Sequence, residues 1–420
     1  MKEIDQDKEI QRKIVKDPQI WKFSFYGLLK NLKFFEPYLY LYLLSIGINL
    51  FQIGLLFSVR EIITYLFEIP SGILADQYGK KTELLTCFIF YIISFIFFFI
   101  GGNFLTILIG MIFFGLGEAF RSGTHKAMIY SYLEQKGWFS HKTFVYGRTR
   151  SFSLIGSSIS AFLSIIFVLG LPTLRWIFLL SILPYILDFL LILSYPNSLN
   201  ERVETNISIG KFFLNSVNQL KSIFKNKALF KPLFSSSLYD GIFKVLKDYI
   251  QPILKIAMGA LTISFLMRFT PSQRVKIVLG IVYGIFYIAS SWASRNVYRL
   301  NKRAPSHILM DLYFFAMGII LIFLGFFISI KSVALIIIFY FILYVMKDSR
   351  RPLVVDVLGD YMDKTQRATV LSIESQLRSV IVIVLAPVVG YLADKFSISN
   401  TFFLMGIFTL IVAWILKNKR

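Results

Sequence analysis

The sequence predicts an all-α polytopic membrane protein, with twelve transmembrane helices in two six-helix bundles and both termini cytoplasmic. Composition is the first reason. The 420-residue chain is 56% hydrophobic and holds 44 Phe, with a mean hydropathy of +0.66. A soluble protein of this length could not hide that much apolar side chain in its cores. The second reason is segment length. Apolar runs of about 20 residues, enough to cross a hydrocarbon layer ~30 Å thick, recur along the chain. These runs are continuously apolar and do not alternate, which argues against a β-barrel.

The twelve expected spans lie near 29–48, 51–71, 83–101, 104–127, 147–170, 174–194, 232–257, 275–293, 307–328, 333–357, 367–392 and 398–416. The third, sixth, ninth and twelfth read as clean apolar helices with few charges. The fourth, seventh, tenth and eleventh are interrupted by charged residues. Residues 1–28 form a charged arm without a signal-peptide core, so the first span is expected to act as its own insertion signal. Lys2, Lys8, Arg12, Lys13, Lys16 and Lys22 fall in that arm, and Lys30 and Lys33, just beyond it, are counted with them. Lys80 and Lys81, then Lys136, Lys142, Arg148 and Arg150, then Arg295, Arg299, Lys302 and Arg303 mark further connections on the same side. Turns 101–103, 170–174 and 329–332 carry almost no positive charge, so the positive-inside rule puts both termini in the cytoplasm. The connection 258–274 fits less well, with Arg268 and Arg274 on the nominally outer side.

Residues 195–230 divide the chain into a first bundle, 29–194, and a second, 231–416, with a short tail at 417–420. This linker is basic. Ile209, Phe212, Phe213, Val217, Leu220, Ile223 and Phe224 recur in it at helical spacing, the pattern of an amphipathic helix on the inner leaflet. Six spans plus six around a long central loop is a common plan of secondary transporters.

The formal charge of +21 is explained by a basic cytoplasmic face against anionic lipid, and no nucleic-acid partner is needed. Cys87 is the single cysteine, so no intrachain disulfide and no cysteine metal site is expected. No G-x-x-x-x-G-K-[ST] string is present, which disfavours an ATP-driven pump. Three histidines and one cysteine supply no catalytic cluster, so neither an enzyme nor a cofactor is expected.

The most informative segment is Gly72-Ile73-Leu74-Ala75-Asp76-Gln77-Tyr78-Gly79-Lys80-Lys81, read as a short loop between the second and third spans. Gly72 and Gly79 permit tight turns and close helix approach. Asp76 is placed to pair with a cation or to cap the following helix. Lys80 and Lys81 hold the segment on the cytoplasmic side. The string G-x-L-A-D-x-x-G-[RK]-[RK], at this position in a twelve-span plan, resembles the signature loop of the major facilitator superfamily (MFS). The resemblance covers the chain from about residue 23. It implies an MFS fold and a secondary transporter working by alternating access, with Gly72, Asp76, Gly79, Lys80 and Lys81 as a gating latch. The alternative reading of the segment is a topology-setting basic turn.

The chain also departs from that family. The matching second-half loop, Ser290 to Arg303, keeps basic residues but lacks the acid and glycines. A look-alike, Gly390-Tyr391-Leu392-Ala393-Asp394, falls on the outer side and is given no latch role. Met111 stands where proton-coupled exporters of the family often carry an arginine, ahead of Gly115. Gly147 and Gly156 have the spacing of the drug-antiporter motif, but Ser160-Ala161 replaces its Gly-Pro. Both departures weaken a drug/proton antiporter assignment.

Ionisable residues at membrane depth carry the reading of a polar path, since each costs roughly 2.5–3.5 kcal/mol at a helix centre. The candidates are Glu36, Arg60, Glu61, Glu118, Arg121, His125, Asp240, Lys244, Lys247, Asp248, Glu374 and Arg378. Glu118, Arg121, Ser122 and His125 fall at steps of three and four on one helical face. Asp240, Lys244, Lys247 or Asp248, and Gln251 make a second stripe. Glu374 and Arg378 are four apart, and Glu61 and Glu68 two turns apart. In the family, spans one, four, seven and ten line the central cavity. The competing reading takes Glu118–Arg121 and Asp240–Lys244 as structural ion pairs. It also has Glu68, Lys126, Arg350 and Arg351 snorkelling at helix ends. Arg60, Arg121, Lys244, Lys247 and Arg378 together suit an anionic or zwitterionic solute, or salt bridges that switch between states. Glu36, Glu61, Asp240 and His125 are the proton-carrier candidates.

The expectation is thus a multi-pass plasma- or inner-membrane transporter, monomeric, taking a small-molecule substrate, with protons as the coupling ion and an anionic inner leaflet as lipid partner. Export of a small organic solute leads; uptake of an anionic or zwitterionic metabolite is the alternative. A non-transporting sensor or lipid-handling protein on the same scaffold is the reading from a different class.

Overall fold

The computed structural model describes residues 2–200, 227–258, 267–296, 304–359 and 367–417. The amphipathic helix expected within 195–230 lies almost wholly outside them. The described chain is helical: α1 Lys2–Lys16, α2 Pro18–Lys30, α3 Leu39–Ser45, α4 Leu50–Tyr78, α5 Lys80–Ile100, α6 Phe104–Arg121, α7 Thr124–Gln135, α8 Lys142–Gly170 and α9 Trp176–Leu193. There follow α10 Lys227–Leu246, α11 Ile250–Ala257, α12 Pro271–Asn296, α13 Ser306–Ser329, α14 Val333–Gly359, α15 Arg367–Phe396 and α16 Ile398–Leu416.

Nine helical stretches among the described residues are long and apolar enough to cross a membrane. The other three expected spans differ for physical reasons. The first is broken, because α2 ends at Lys30 and the chain passes through a 3₁₀ turn, Glu36–Tyr38, before the short α3. The seventh is broken the same way, by the 3₁₀ turn Lys247–Tyr249 between α10 and α11. The tenth, α14, is continuous but carries Lys347, Asp348, Arg350, Arg351 and Asp356. The expected loop around Gly72 is also different. Helix α4 runs on through Gly72 and Asp76 to Tyr78, and Gly79, at φ 98°, is the whole connection to α5. A side chain rarely adopts that φ, so the glycine alone makes the turn.

The N-terminal arm is helical. Asp17 caps α2, accepting from the amides of Gln19 (2.9 Å) and Ile20 (3.0 Å), with Pro18 at the first helical position. Tyr132 of α7 donates to the same carboxylate at 2.9 Å, tying α2 to α7.

The helices gather into two compact units, Met1–Glu36 with Ile63–Ile209, and Pro37–Ile62 with Gly210–Arg420. In the first, α5 packs on α6 and α9, and α2 on α8 and α9. Small residues permit this, since a Cβ on Gly110 or Gly117 would meet the Phe98 or Tyr91 ring at 2.8–2.9 Å. In the second, α13 packs on α16 through Gly318, Gly325 and Gly406. The start of α4 belongs to this second unit because it is zipped to α15. A Cβ on Gly54 would strike the Ala386 carbonyl, and one on Gly390 the Leu50 carbonyl. Ser58 donates to the Ile383 carbonyl at 2.7 Å. Asp394 accepts from the amides of Leu50 (3.2 Å) and Phe51 (2.8 Å), capping α4. The Gly390–Asp394 string, set aside on sequence grounds, is therefore a structural contact in its own right.

Candidate functional site

Each unit holds its own polar cluster in an apolar helix frame. In the second unit the centre is Glu61, 4% exposed. Its Oε1 takes Lys244 Nζ at 2.8 Å from α10 and Arg60 Nη2 at 3.1 Å. Its Oε2 accepts from Ser379 Oγ of α15 at 3.2 Å. Beside it, Arg378 lies 3.7 Å from Asp240 and donates to Ser375 at 2.7 Å. Arg60 also rests over the Phe57 ring at 4.5 Å. Among the described residues, three cations thus share two carboxylates.

This arrangement departs from one pairing weighed on sequence grounds and from one that helical spacing would allow. Asp240 does not pair with Lys244, because Lys244 reaches across to α4 while Asp240 meets α15. Glu374 does not pair with Arg378 despite the spacing of four. Glu374 is fully buried and is held by Arg351 at 2.5 Å and Ser236 at 3.0 Å. A partner on another helix outcompetes the same-face neighbour in both cases.

Lys247 and Asp248 pair at 3.1 Å on the 3₁₀ turn. Tyr283 donates to Asp248 at 2.8 Å, and Gln251 donates to the Tyr283 hydroxyl at 3.2 Å. Gln251 also accepts from the Tyr40 amide at 2.8 Å, so one network joins α3, the α10–α11 break and α12. Glu36 opens the other 3₁₀ turn, half-buried. The broken helices α2–α3 and α10–α11 each carry an acid and a tyrosine at the break, Glu36 with Tyr38 and Asp248 with Tyr249.

In the first unit, Glu118 and Arg121 pair at 2.6 Å as expected. Tyr91 completes a triangle, donating to Glu118 at 2.6 Å and accepting from Arg121 Nε at 3.2 Å. The single stripe running on to His125 is not formed. Helix α6 ends at Arg121, Ser122 is extended and Gly123 has φ 78°. Ser122 instead donates to Glu68 at 2.6 Å. His125 turns into α7, stacked on Tyr26 at 3.6 Å and 3.4 Å from the Tyr195 hydroxyl. Arg121 and His125 both line a cavity of about 250 Å³.

The signature segment makes contacts within the first unit. Lys80 reaches Ser131 at 3.2 Å, and Lys81 reaches the Tyr195 carbonyl at 2.8 Å, near the C-terminal end of α9. Asn200, not Asp76, caps α5, accepting from the Lys81 amide at 3.1 Å. It packs against Gly79, where a Cβ would displace it. The Asp76 side chain has no hydrogen-bond or ion-pair partner among the described residues. Gly72 is exposed on α4.

Sequence reasoning missed one charge and misplaced two. Asp188, in the span read as clean, is fully buried, and neither carboxylate oxygen has a hydrogen-bond partner. Its lone acid in an apolar run was the available signal. Lys30, counted with the topology-setting cations, instead lines the first-unit cavity. Arg350 does not snorkel. It is 1% exposed, with its guanidinium 4.2 Å from the Tyr239 ring centre. Lys126, by contrast, is exposed, over the Tyr130 and Tyr146 rings.

Comparison with known proteins agrees with this architecture. The chain superposes on the crystal structure of the nucleoside transporter NupG with a TM-score of 0.76, covering 95% of this chain and 98% of that one at 12% identity. For a D-xylose–proton symporter the TM-score is 0.71, with 94% and 96% covered at 12% identity. For a peptide transporter of the POT type in complex with sulfate it is 0.69, with 94% and 93% covered at 13% identity. A curated relative, the uncharacterized MFS-type transporter YxaM of Bacillus subtilis (strain 168), is 41% identical over 91 residues. That match spans 21% of this chain and 23% of the relative's length. The family model described as Major Facilitator Superfamily matches residues 28–346. A multi-pass helical membrane protein with transporters among its relatives, this chain belongs to the Major Facilitator Superfamily.

Proposed function

We propose that the protein is a twelve-span, monomeric secondary transporter with both termini cytoplasmic, moving a small organic solute by alternating access under proton coupling. Its bundles would be 29–194 and 231–416, joined by a cytoplasmic linker at 195–230. The observation that carries this reading is Glu61, a buried carboxylate held by Lys244 at 2.8 Å and Ser379 at 3.2 Å from two other helices. Protonating such a carboxylate removes its attraction for Lys244 and Arg60, so proton uptake and rearrangement of α4, α10 and α15 are one event. A D-xylose–proton symporter among the structural relatives supports the coupling. The Glu118–Arg121–Tyr91 triangle, Asp240–Arg378 and Lys247–Asp248 are the remaining polar stations of the path. The signature segment from Gly72 to Lys81 is its inner latch. Export narrowly leads uptake of an anionic or zwitterionic metabolite, and the excess of cations around Glu61 supports the latter as second reading.

The test uses the full-length protein in vesicles with an imposed pH gradient and a metabolite and drug panel. Glu61→Gln is expected to abolish gradient-driven accumulation and keep solute exchange. Normal gradient-driven accumulation by the variant would overturn Glu61 as the coupling site. Transport that ignores both pH and a protonophore would overturn proton coupling altogether.

A further inference from the structure

The first-unit cavity has a chemistry that the cluster around Glu61 does not share. It lies between α2, the α6–α7 break and the first half of α8. Lys30, Arg121, His125, Lys126 and Arg150 line it, and among the described residues that line it none is a carboxylate. Arg121 is already paired with Glu118. The Lys30 ammonium and the Arg150 guanidinium have no hydrogen-bond or ion-pair partner among the described residues. Lys30 is half-buried; Asp188 lies within reach of its field, yet neither oxygen of Asp188 accepts a hydrogen bond. The ring of Tyr26, a residue only 4% exposed, lines the same cavity. Several cations share one cavity whose described lining offers no acid. Positive charge gathered in this way suits a ligand that supplies the negative charge.

Size and shape narrow the class. A cavity of about 250 Å³ has room for a small phosphate ester or a di- or tricarboxylate. Lys30, Lys126 and Arg150 are free to neutralise more than one negative charge. The stacked Tyr26–His125 pair gives the cavity a flat wall.

We propose that this cavity binds a small organic polyanion, with Lys30 and Arg150 as its principal charge contacts. The assignment deepens the transport reading by naming a ligand class, but it concerns equilibrium binding and does not depend on direction or coupling. The same phosphate chemistry could come from a soluble anion or from a lipid headgroup.

The experiment measures binding of citrate and of inorganic phosphate to the full-length protein in phosphatidylcholine nanodiscs, by calorimetry and thermal shift, at constant ionic strength set with chloride. Both anions are expected to bind and to raise the melting temperature, while glycerol and tetraethylammonium do neither. Lys30→Gln and Arg150→Gln are each expected to weaken binding at least about tenfold, the loss of one charge-assisted hydrogen bond. Lys417→Gln, an exposed cation on the tail, leaves it unchanged. Arg150 is exposed, so its variant keeps the test decisive if Lys30→Gln fails to fold. Repeating the titration in phosphatidylglycerol nanodiscs assigns the source: competition marks a headgroup, and undiminished binding marks a soluble anion. Equal binding by wild type and Arg150→Gln, or a shift reproduced by chloride alone, would overturn the assignment. Because no gradient is used, failure here leaves proton-coupled transport standing, and a transport-dead protein that still binds citrate sinks only the transport reading.

Discussion

Arg350 shows how little a charged residue's neighbours in sequence say about its surroundings. Its Nε and Nη1 have no acceptor, Nη2 reaches Ser235 only at 3.4 Å, and the Tyr239 ring supplies the remaining contact. A buried cation so poorly compensated is replaceable by an apolar chain of similar length at no loss, and often with a gain of about 1 kcal/mol or more. Arg350→Met is therefore expected to hold or raise the melting temperature; a clear drop would mean that the arginine contributes net stability. Glu118 is the opposite case. Glu118→Ala strands Arg121 with only the Tyr91 hydroxyl, and is expected to destabilise by about 2–4 kcal/mol in a denaturation or thermal-shift series. The pair itself was legible, because three residues on one helix fix the geometry. Asp188 and the true partners of Asp240 and Glu374 were not, because inter-helix contacts decide them.

Helix punctuation was more legible than helix partners. Asp17-Pro18 reads as a cap and a first turn, and Gly79 and Gly123 sit where φ is positive. What the sequence could not reveal was that Gly72 to Tyr78 stays helical, since nothing in Gly-Ile-Leu-Ala-Asp forbids a helix. The zipper between α4 and α15 was equally hidden. Its members recur at steps of three or four on both helices: Leu50, Gly54, Ser58 and Glu61 against Asp394 or Gly390, Ala386, Ile383 and Ser379. Each helix alone looks merely apolar with a few small residues. Gly54→Leu is expected to cost about 1–3 kcal/mol by overpacking this contact. Asp394→Ala removes two hydrogen bonds to the first turn of α4 and is expected to cost about 1 kcal/mol. Equal melting temperatures for Asp394→Ala and wild type would show the cap to be dispensable.

At the scale of the molecule, the apolar runs and the alternating basic connections carried the membrane topology, and the string from Gly72 to Lys81 set in that plan carried the family resemblance before any contact was known. The broken helices α2–α3 and α10–α11 and the charged α14 are where span counting by length and composition stops, leaving nine stretches. The proposed topology has a direct check. In a Cys87→Ser background, Lys136→Cys is expected to react with a membrane-impermeant maleimide only from the cytoplasmic side, and Asn103→Cys only from outside. Labelling of both from the same side would contradict it.

The cap on α4 has a consequence for how any gate at that place could be demonstrated. The usual proof of an ionic latch is to exchange the two charges and restore function. Asp394 meets main-chain amides of Leu50 and Phe51, so there is no second side chain to invert. Correlated substitution between homologues would be silent at this contact for the same reason. Only Asn, Ser or Thr at 394 could substitute, since each presents an oxygen to a helix start. Such a bond tolerates wide drift in the sequence of α4 while demanding one small set of residues on α15.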